Sequence, residues 1–397
     1  MSGGRRLAWA VAAVGTAAVA VGVAWAPGSA REAATQDWPP FVLVAGLLLV
    51  GLVAAEDGVF EAAGARLAAM SGSGAGLFVA AMILVAVVTA VLNLDTAVAF
   101  LTPVLVATSR AHGRATAIPA SADSPDGPPL QAPMLYGCLL MSNAASLLLP
   151  GSNLTNLIVV GHLHLSGGRF ALRMAAPWVA SVALTTAAVG LLLRRHLRRV
   201  PVSRGDLVSV RPRGPIGLVA VVVATAVVVT DASPALPVLV VGVVAAAVRL
   251  GRSGTPRHAA ERMVEAVGAP VLVGLLGVAI GAGTLGRQWS GPTALLGHLG
   301  AWATAAFAAV LSIVVNNLPA ASLLAARHPA HPFAILVGLD LGPNLLVTGS
   351  LSSILWWQSA RAAGARPRAA TVSRLGLVAA PLAGVACLAL LAVSGTR

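Results

Sequence analysis

The sequence predicts an all-α polytopic membrane protein, and three observations predict it. Of 397 residues, 57% are apolar and 10% charged, mean hydropathy is +0.87, and apolar runs of about 17 to 25 residues, enough to cross a bilayer, follow one another. Two of those runs carry a matching polar break, PGSNLTNLI (Pro150–Ile158) and TGSLSSILW (Thr348–Trp356), each between two apolar half-helices. The basic residues, finally, fall in alternate loops.

Leu7 to Ala26 follows Arg5-Arg6 like a signal peptide but lacks an evident cleavage site, so it reads as a retained first span. A second span is expected at 40–56, after Pro39-Pro40, and the segment to residue 72 completes an N-terminal region (1–72) of scaffold spans and an interfacial helix. A region at 73–199 is expected to hold a re-entrant helical hairpin (75–108), a broken helix (133–165) and a span (175–194). Cytoplasmic loop and scaffold spans, near 215–231, 235–250 and 263–282, occupy 200–290. A second set follows at 291–397: hairpin 295–326, broken helix 332–360, span 374–394. The Pro-rich polar stretch Ser109–Pro133 is expected to be a disordered cytoplasmic loop.

All 26 basic residues are arginine, and net charge is +13. With a cytoplasmic N-terminus these spans leave arginines 31, 169, 173, 287, 327 and 397 outside and the rest inside, as the positive-inside rule requires. The charge therefore reads as topology in an inner (plasma) membrane, with the lipid bilayer as partner and no nucleic acid. Cys138 and Cys387 both lie in apolar runs, so neither a disulfide framework nor a thiolate cage is expected. His162 and His164 flank a span end, and His328 and His331 share a short loop; the interfacial reading is preferred over a metal site, and no cofactor is expected. Absence of HExxH, GxSxG and Walker patterns argues against an enzyme.

Each break has an Asn-rich turn upstream, VLNLDTAVAF from Val91 and VVNNLPAAS from Val314, and an Arg-bearing stretch plus one clean span downstream. The order occurs twice with opposite expected entry sides, which predicts two inverted repeats facing a shared cavity. Non-helical backbone survives at mid-membrane only inside protein or along a wet cavity. Eleven of the 13 carboxylates fall in loops or near span ends in this scheme; Asp95 and Asp340 do not. An intramembrane acid is a candidate proton carrier or a helix cap.

At these residues the sequence resembles the arsenite/antimonite efflux permease family, of the ion transporter superfamily that also holds the divalent anion/sodium symporters. The matching motifs are EDGVFEAAGARLA, NLDTAVAFLTPVLVA, LLLPGSNLTNLI, VVNNLPA and GLDLGPNLLVTGSLSSILWW, in family order. Where the family often carries an acid before the first break, this chain has Asn143. The resemblance implies an elevator-type fold, a homodimer, and export of arsenite or antimonite coupled to protons or driven by a separate ATPase subunit. It also implies substrate or ion binding by Asn93, Asp95 and Thr96 at the first tip, Ser152, Asn153, Thr155 and Asn156 at the first break, Asn316 and Asn317 at the second tip, and Asp340, Asn344, Thr348, Gly349 and Ser350 at the second break. The alternative is a sodium- or proton-coupled carrier of another small inorganic or organic anion, or a sodium/proton antiporter, of the same superfamily.

Overall fold

A computed structural model describes residues 3–115, 130–197, 211–231, 233–252 and 268–395. These residues form helices and connecting turns, with no strand among them. The helices are α1 (Gly3–Trp25), α2 (Pro27–Glu56), α3 (Val59–Met70), α4 (Gly74–Val91), α5 (Leu94–Ala115), α6 (Gln131–Ala145), α7 (Leu154–Val160), α8 (Gly167–Leu192), α9 (Arg194–Leu197), α10 (Ile216–Thr230) and α11 (Ala235–Gly251). After residue 268 come α12 (Ala269–Gln288), α13 (Gly291–His298), α14 (Ala301–Val315), α15 (Asn317–Leu324), α16 (Pro332–Leu341), α17 (Leu351–Ala362) and α18 (Ala369–Val393). Six of them, α1, α2, α4, α8, α12 and α18, are long and apolar enough to cross a membrane. The chain is a multi-pass membrane protein.

Three boundaries differ from the sequence expectation. Helix α2 begins at Pro27 and runs through Pro39-Pro40, since a membrane helix tolerates proline where neighbouring groups satisfy the freed backbone. Asp37 therefore lies well inside a span, 1% exposed, and the count of two carboxylates away from loops and span ends becomes three. The Arg-bearing stretch after the first break is no separate surface element: Gly167 to Pro177 opens α8, capped by Ser166 on the Arg169 N–H. The expected Ser109–Pro133 loop is shorter at both ends, because α5 continues to Ala115 and α6 starts at Gln131; its remaining part, 116–129, lies outside the described residues, as do most of the 195–214 and 251–262 loops and the start of the 263–282 span.

Helices α1, α2, α10, α11 and α12 form one packed group. Small residues let their backbones touch: a Cβ on Gly15 of α1 would stand 2.0 Å from Gly274 O of α12, and one on Gly46 of α2 would stand 2.7 Å from Leu239 N of α11. Close backbone approach of this kind replaces the hydrophobic drive that is missing between helices in lipid.

The remaining helices form two similar sets. The first hairpin, α4 and α5, packs on α6, and α14 of the second hairpin packs on α16. Each set also reaches into the other: α5 packs against α17, α15 against α7, and the two spans α8 and α18 against each other. Both hairpin tips meet a break. Ser152 Oγ donates to Ala90 O (2.9 Å) at the first, and Asn316 Nδ2 to Thr348 O (3.4 Å) at the second. The long arms thus end at the depth of the helix breaks, which positions the polar residues of all four segments centrally.

Arginines sort by end of α2. Near its start, Arg287 meets Glu32 (3.3 Å) and Arg327 donates to Arg287 O; beyond its C-terminus, Arg249 lies 3.3 Å from Asp57, whose Oδ2 accepts from Gly217 N (2.8 Å).

Candidate functional site

A broken helix leaves the last carbonyls of one half and the first N–H groups of the other unpaired. At the first break the carbonyls of α6 are taken up by side chains. Ser181 Oγ donates to Ala144 O (3.0 Å), Trp178 Nε1 to Ala145 O (2.9 Å) and Asn156 Nδ2 to Ser146 O (2.7 Å). On the other half, Asn153 caps α7 by accepting from Thr155 N (3.2 Å). The corresponding positions at the second break and at both tips also cap: Ser350 accepts from Ser353 N, Asn93 from Thr96 N and Asn316 from Leu318 N. Asn316 does so at φ +78° and ψ 150°, a strained conformation that glycine adopts freely and other residues rarely do. At the second break Gly376 of α18 leaves no room for a side chain: a Cβ there would stand 1.7 Å from Asn344 O.

The two broken helices meet at Asp340, which is fully buried on the last turn of α16. Asn153 Nδ2 (2.8 Å) and Thr155 Oγ1 (3.0 Å) donate to its Oδ1, and Ser146 Oγ approaches its Oδ2 (2.9 Å). Beside it, Asn143 Nδ2 donates to Asn344 Oδ1 (2.8 Å), and Asn344 Nδ2 to Leu140 O (3.1 Å). Among the described residues, no arginine or histidine bonds this carboxylate.

Ser146 gives the cluster a specific chemistry. Its Oγ also lies 2.8 Å from Asn143 O, and a hydroxyl has one proton for these two acceptors. With that proton aimed at Asp340, three donors satisfy an ionised carboxylate. With it turned to Asn143 O, Ser146 Oγ accepts a hydrogen bond from a protonated Oδ2. The same heavy-atom arrangement therefore accommodates Asp340 in both protonation states.

Of the sequence-predicted residues, the structure gathers Asn143, Asn153, Thr155, Asp340 and Asn344 into this one cluster, with Asn156 bracing the break beside it. Asn93 and Thr96 sit buried at the first tip, where Asn93 Nδ2 and Thr96 Oγ1 have no hydrogen-bond partner among the described residues. Asp95, on the first turn of α5, is half-buried and likewise makes no hydrogen bond or ion pair among them. Ser152 and Ser350 are engaged by protein: Ser152 by Ala90 O, Ser350 by the hydroxyls of Ser352 (2.7 Å) and Ser353 (3.0 Å). Gly349 packs on Pro343, Asn317 is buried at the second tip, and the Thr348 side chain is exposed, only its carbonyl reaching Asn316.

Ser146 is the residue that the sequence reading passed over. Its signal is a hydroxyl three positions after Asn143, on the final turn of an apolar half-helix directly ahead of Pro150-Gly151.

A family model described as CitMHS, citrate transporter, matches residues 1–347. The chain belongs to this family. It is a secondary membrane transporter and not an enzyme. The match runs through both hairpins and the first break and stops inside the second, at Val347. Among solved structures, the chain is similar to the one described as "Crystal structure of the Alcanivorax borkumensis YdaH transporter reveals an unusual topology", at 16% identity and TM-score 0.49, covering 94% of this chain and 88% of that one.

Proposed function

We propose that this transporter is driven by protons, that Asp340 carries the proton, and that its cargo is a small neutral hydroxylated solute, arsenite or antimonite, moved outward. The observation that carries the reading is the buried Asp340 cluster, whose hydrogen bonds close with the carboxyl either charged or neutral. A carboxylate that no cation neutralises is costly in the membrane, so loading and unloading a proton is the natural use of such a group. The lining supports the cargo: amide and hydroxyl groups surround the acid, and among the described residues no basic side chain bonds to it. Arsenious acid is largely an uncharged trihydroxide at neutral pH, and neutral hydrogen bonds worth about 1 kcal/mol each suit binding followed by release.

A second cargo, citrate or a related carboxylate anion, is favoured by the family's description and by the four capped helix starts at the tips and breaks, which present partial positive charge. Such an anion would have to enter beside Asp340 with that acid protonated or with a cation brought along.

The remaining parts of the reading are the pairing of regions 73–199 and 291–397 as inverted repeats that carry the transport elements, with 1–72 and 200–290 as scaffold. Recurrent packing of hairpin on broken helix supports this. We place the N-terminus in the cytoplasm of an inner-membrane protein on the arginine distribution, and a homodimer and an ATPase subunit rest on the resemblance alone. The deciding experiment offers everted vesicles arsenite and, separately, citrate, under a proton or a sodium gradient. Proton-dependent arsenite accumulation supports the first cargo; accumulation of citrate alone replaces it with the second.

A further inference from the structure

Where α2 passes the outer ends of α7 and α15, three adjoining polar side chains of the scaffold group reach across. Gln36 Nε2 donates to two carbonyls at once, Ile158 O in the last turn of α7 and Ala325 O at the C-cap of α15, both at 3.3 Å. These are helix C-terminal carbonyls with no intrahelical partner. Arg287 of α12 holds the amide in place, its Nη2 donating to Gln36 Oε1 (2.5 Å) and its Nη1 to Gly283 O (3.1 Å). Its positive charge thereby stands behind two negative helix ends, the favourable polarity.

Asp37 completes the group. It is 1% exposed and its Oδ2 has no hydrogen-bond partner among the described residues. The point where a Cβ on Gly283 would stand is 3.7 Å from Asp37 Oδ2 and 3.3 Å from Arg287 Nη1. The bare Gly283 therefore leaves the carboxylate and guanidinium facing one gap. The charge of Arg287 acts on Asp37, while the ion pair that Arg287 makes within 4 Å is with Glu32 (3.3 Å).

Both helices gripped by Gln36 begin among the polar residues of the breaks and tips. Helix α7 is capped by Asn153, which bonds Asp340, and α15 by Asn316, which bonds the second break. They are seven and eight residues long, about 10 to 12 Å, too short to bend appreciably between their two ends.

We infer that Gln36, Asp37 and Arg287 form a positioning clasp through which the scaffold group grips the far ends of the two short helices that frame the transport site, and that this clasp opens and recloses in each transport cycle. Alternating access requires one group of helices to move against another around the site. Among the described residues, polar bonds rather than apolar contacts that slide tie α2 and α12 to α7 and α15 here, and Arg327, just past α15, adds one to Arg287 O. It rests on the reading of these two groups as scaffold and transport parts, but not on any particular cargo.

The test is a distance measurement with no cargo present. Nitroxides at Val21→Cys (α1) and Leu172→Cys (α8), both exposed positions, report the separation of the two groups in protein reconstituted in lipid nanodiscs; native Cys138 and Cys387 are buried and stay in place. Gln36→Glu keeps an acceptor for Arg287 and loses both donated bonds, so it is expected to raise a second distance population at least about tenfold, the ratio equivalent to roughly one net hydrogen bond. Asp37→Asn is expected to act in the same direction, whereas Glu61→Gln, exposed on α3 beyond the other end of α2, is expected to leave the distribution as it was. Wild-type distributions in folded Gln36→Glu and Asp37→Asn would overturn the clasp. Should either variant fail to reconstitute, Arg287→Lys reads the same contact, since an ammonium cannot bond Gln36 and Gly283 O with the planar fork, and an unchanged distribution there overturns it equally. Failure of arsenite and citrate assays would strike the proposed cargo and leave this readout untouched.

Discussion

At the scale of single residues, the proposed chemistry rests on Asp340 and its choice of partners. Asp340→Asn keeps an acceptor for Asn153 and Thr155 and offers an N–H to Ser146, so stability is expected to change by less than about 1 kcal/mol while proton-driven accumulation disappears. Asp340→Ala instead strands buried donors, each costing about 1 to 3 kcal/mol, and is expected to lower the denaturation midpoint visibly. Ser146→Ala separates the two protonation states. The ionised carboxylate retains Asn153 and Thr155, but the protonated one loses its acceptor, so maximal rate should fall about tenfold with little change in apparent KM. A rise in KM at constant maximal rate would place Ser146 on the cargo rather than on the proton. The sequence made Asp340, Asn153, Thr155 and Asn143 visible because polar groups in an apolar run must have a use. Ser146 stayed hidden because a lone hydroxyl in a helix commonly bonds its own backbone, as Ser142 Oγ does to Leu139 O (2.8 Å) in the same turn.

At the scale of elements, the breaks persist because their neighbours are shaped for them. Gly376→Ala would drive a methyl into Asn344 O and push the second break off α18; it is expected to abolish transport even though α18 is otherwise an ordinary apolar span, and wild-type transport would show that the break needs no such support. Asn316 separates conformation from capping. Asn316→Ala is expected to cost about 1 kcal/mol through the lost cap, and Asn316→Gly, freed of the strain of a Cβ at this φ and ψ, to recover that or more, as the melting temperatures of the two variants would show. The two breaks and two hairpins were legible from their repeated order of apolar arms and polar turns. Helix α2 was not: Pro39-Pro40 reads as a boundary in a soluble protein, and only packing shows the helix passing through it, carrying Gln36 and Asp37 into the interior. The same kind of tertiary choice turned an Arg-bearing surface stretch into the first turns of α8.

At the scale of the whole molecule, hydropathy and arginine placement sufficed for the membrane class because both act residue by residue along the chain. Which helix touches which did not follow, since the exchange of α5 onto α17 and of α15 onto α7 joins segments far apart in sequence. The proposed topology rests on the arginine ends: cysteines at Ser29, beside Gln288, are expected to react with an impermeant thiol reagent from outside the cell, and cysteines at Arg252, at the end of α11, only after the membrane is opened; the reverse pattern would invert the molecule. The central claim is that a proton on Asp340 drives transport. Its most direct test is accumulation of arsenite, with citrate in parallel, by everted vesicles under an imposed pH difference of one unit, comparing wild type with Asp340→Asn. Accumulation of about tenfold for each proton exchanged against a neutral cargo is expected in the wild type, and none in the variant. Equal proton-dependent accumulation by both proteins would contradict it.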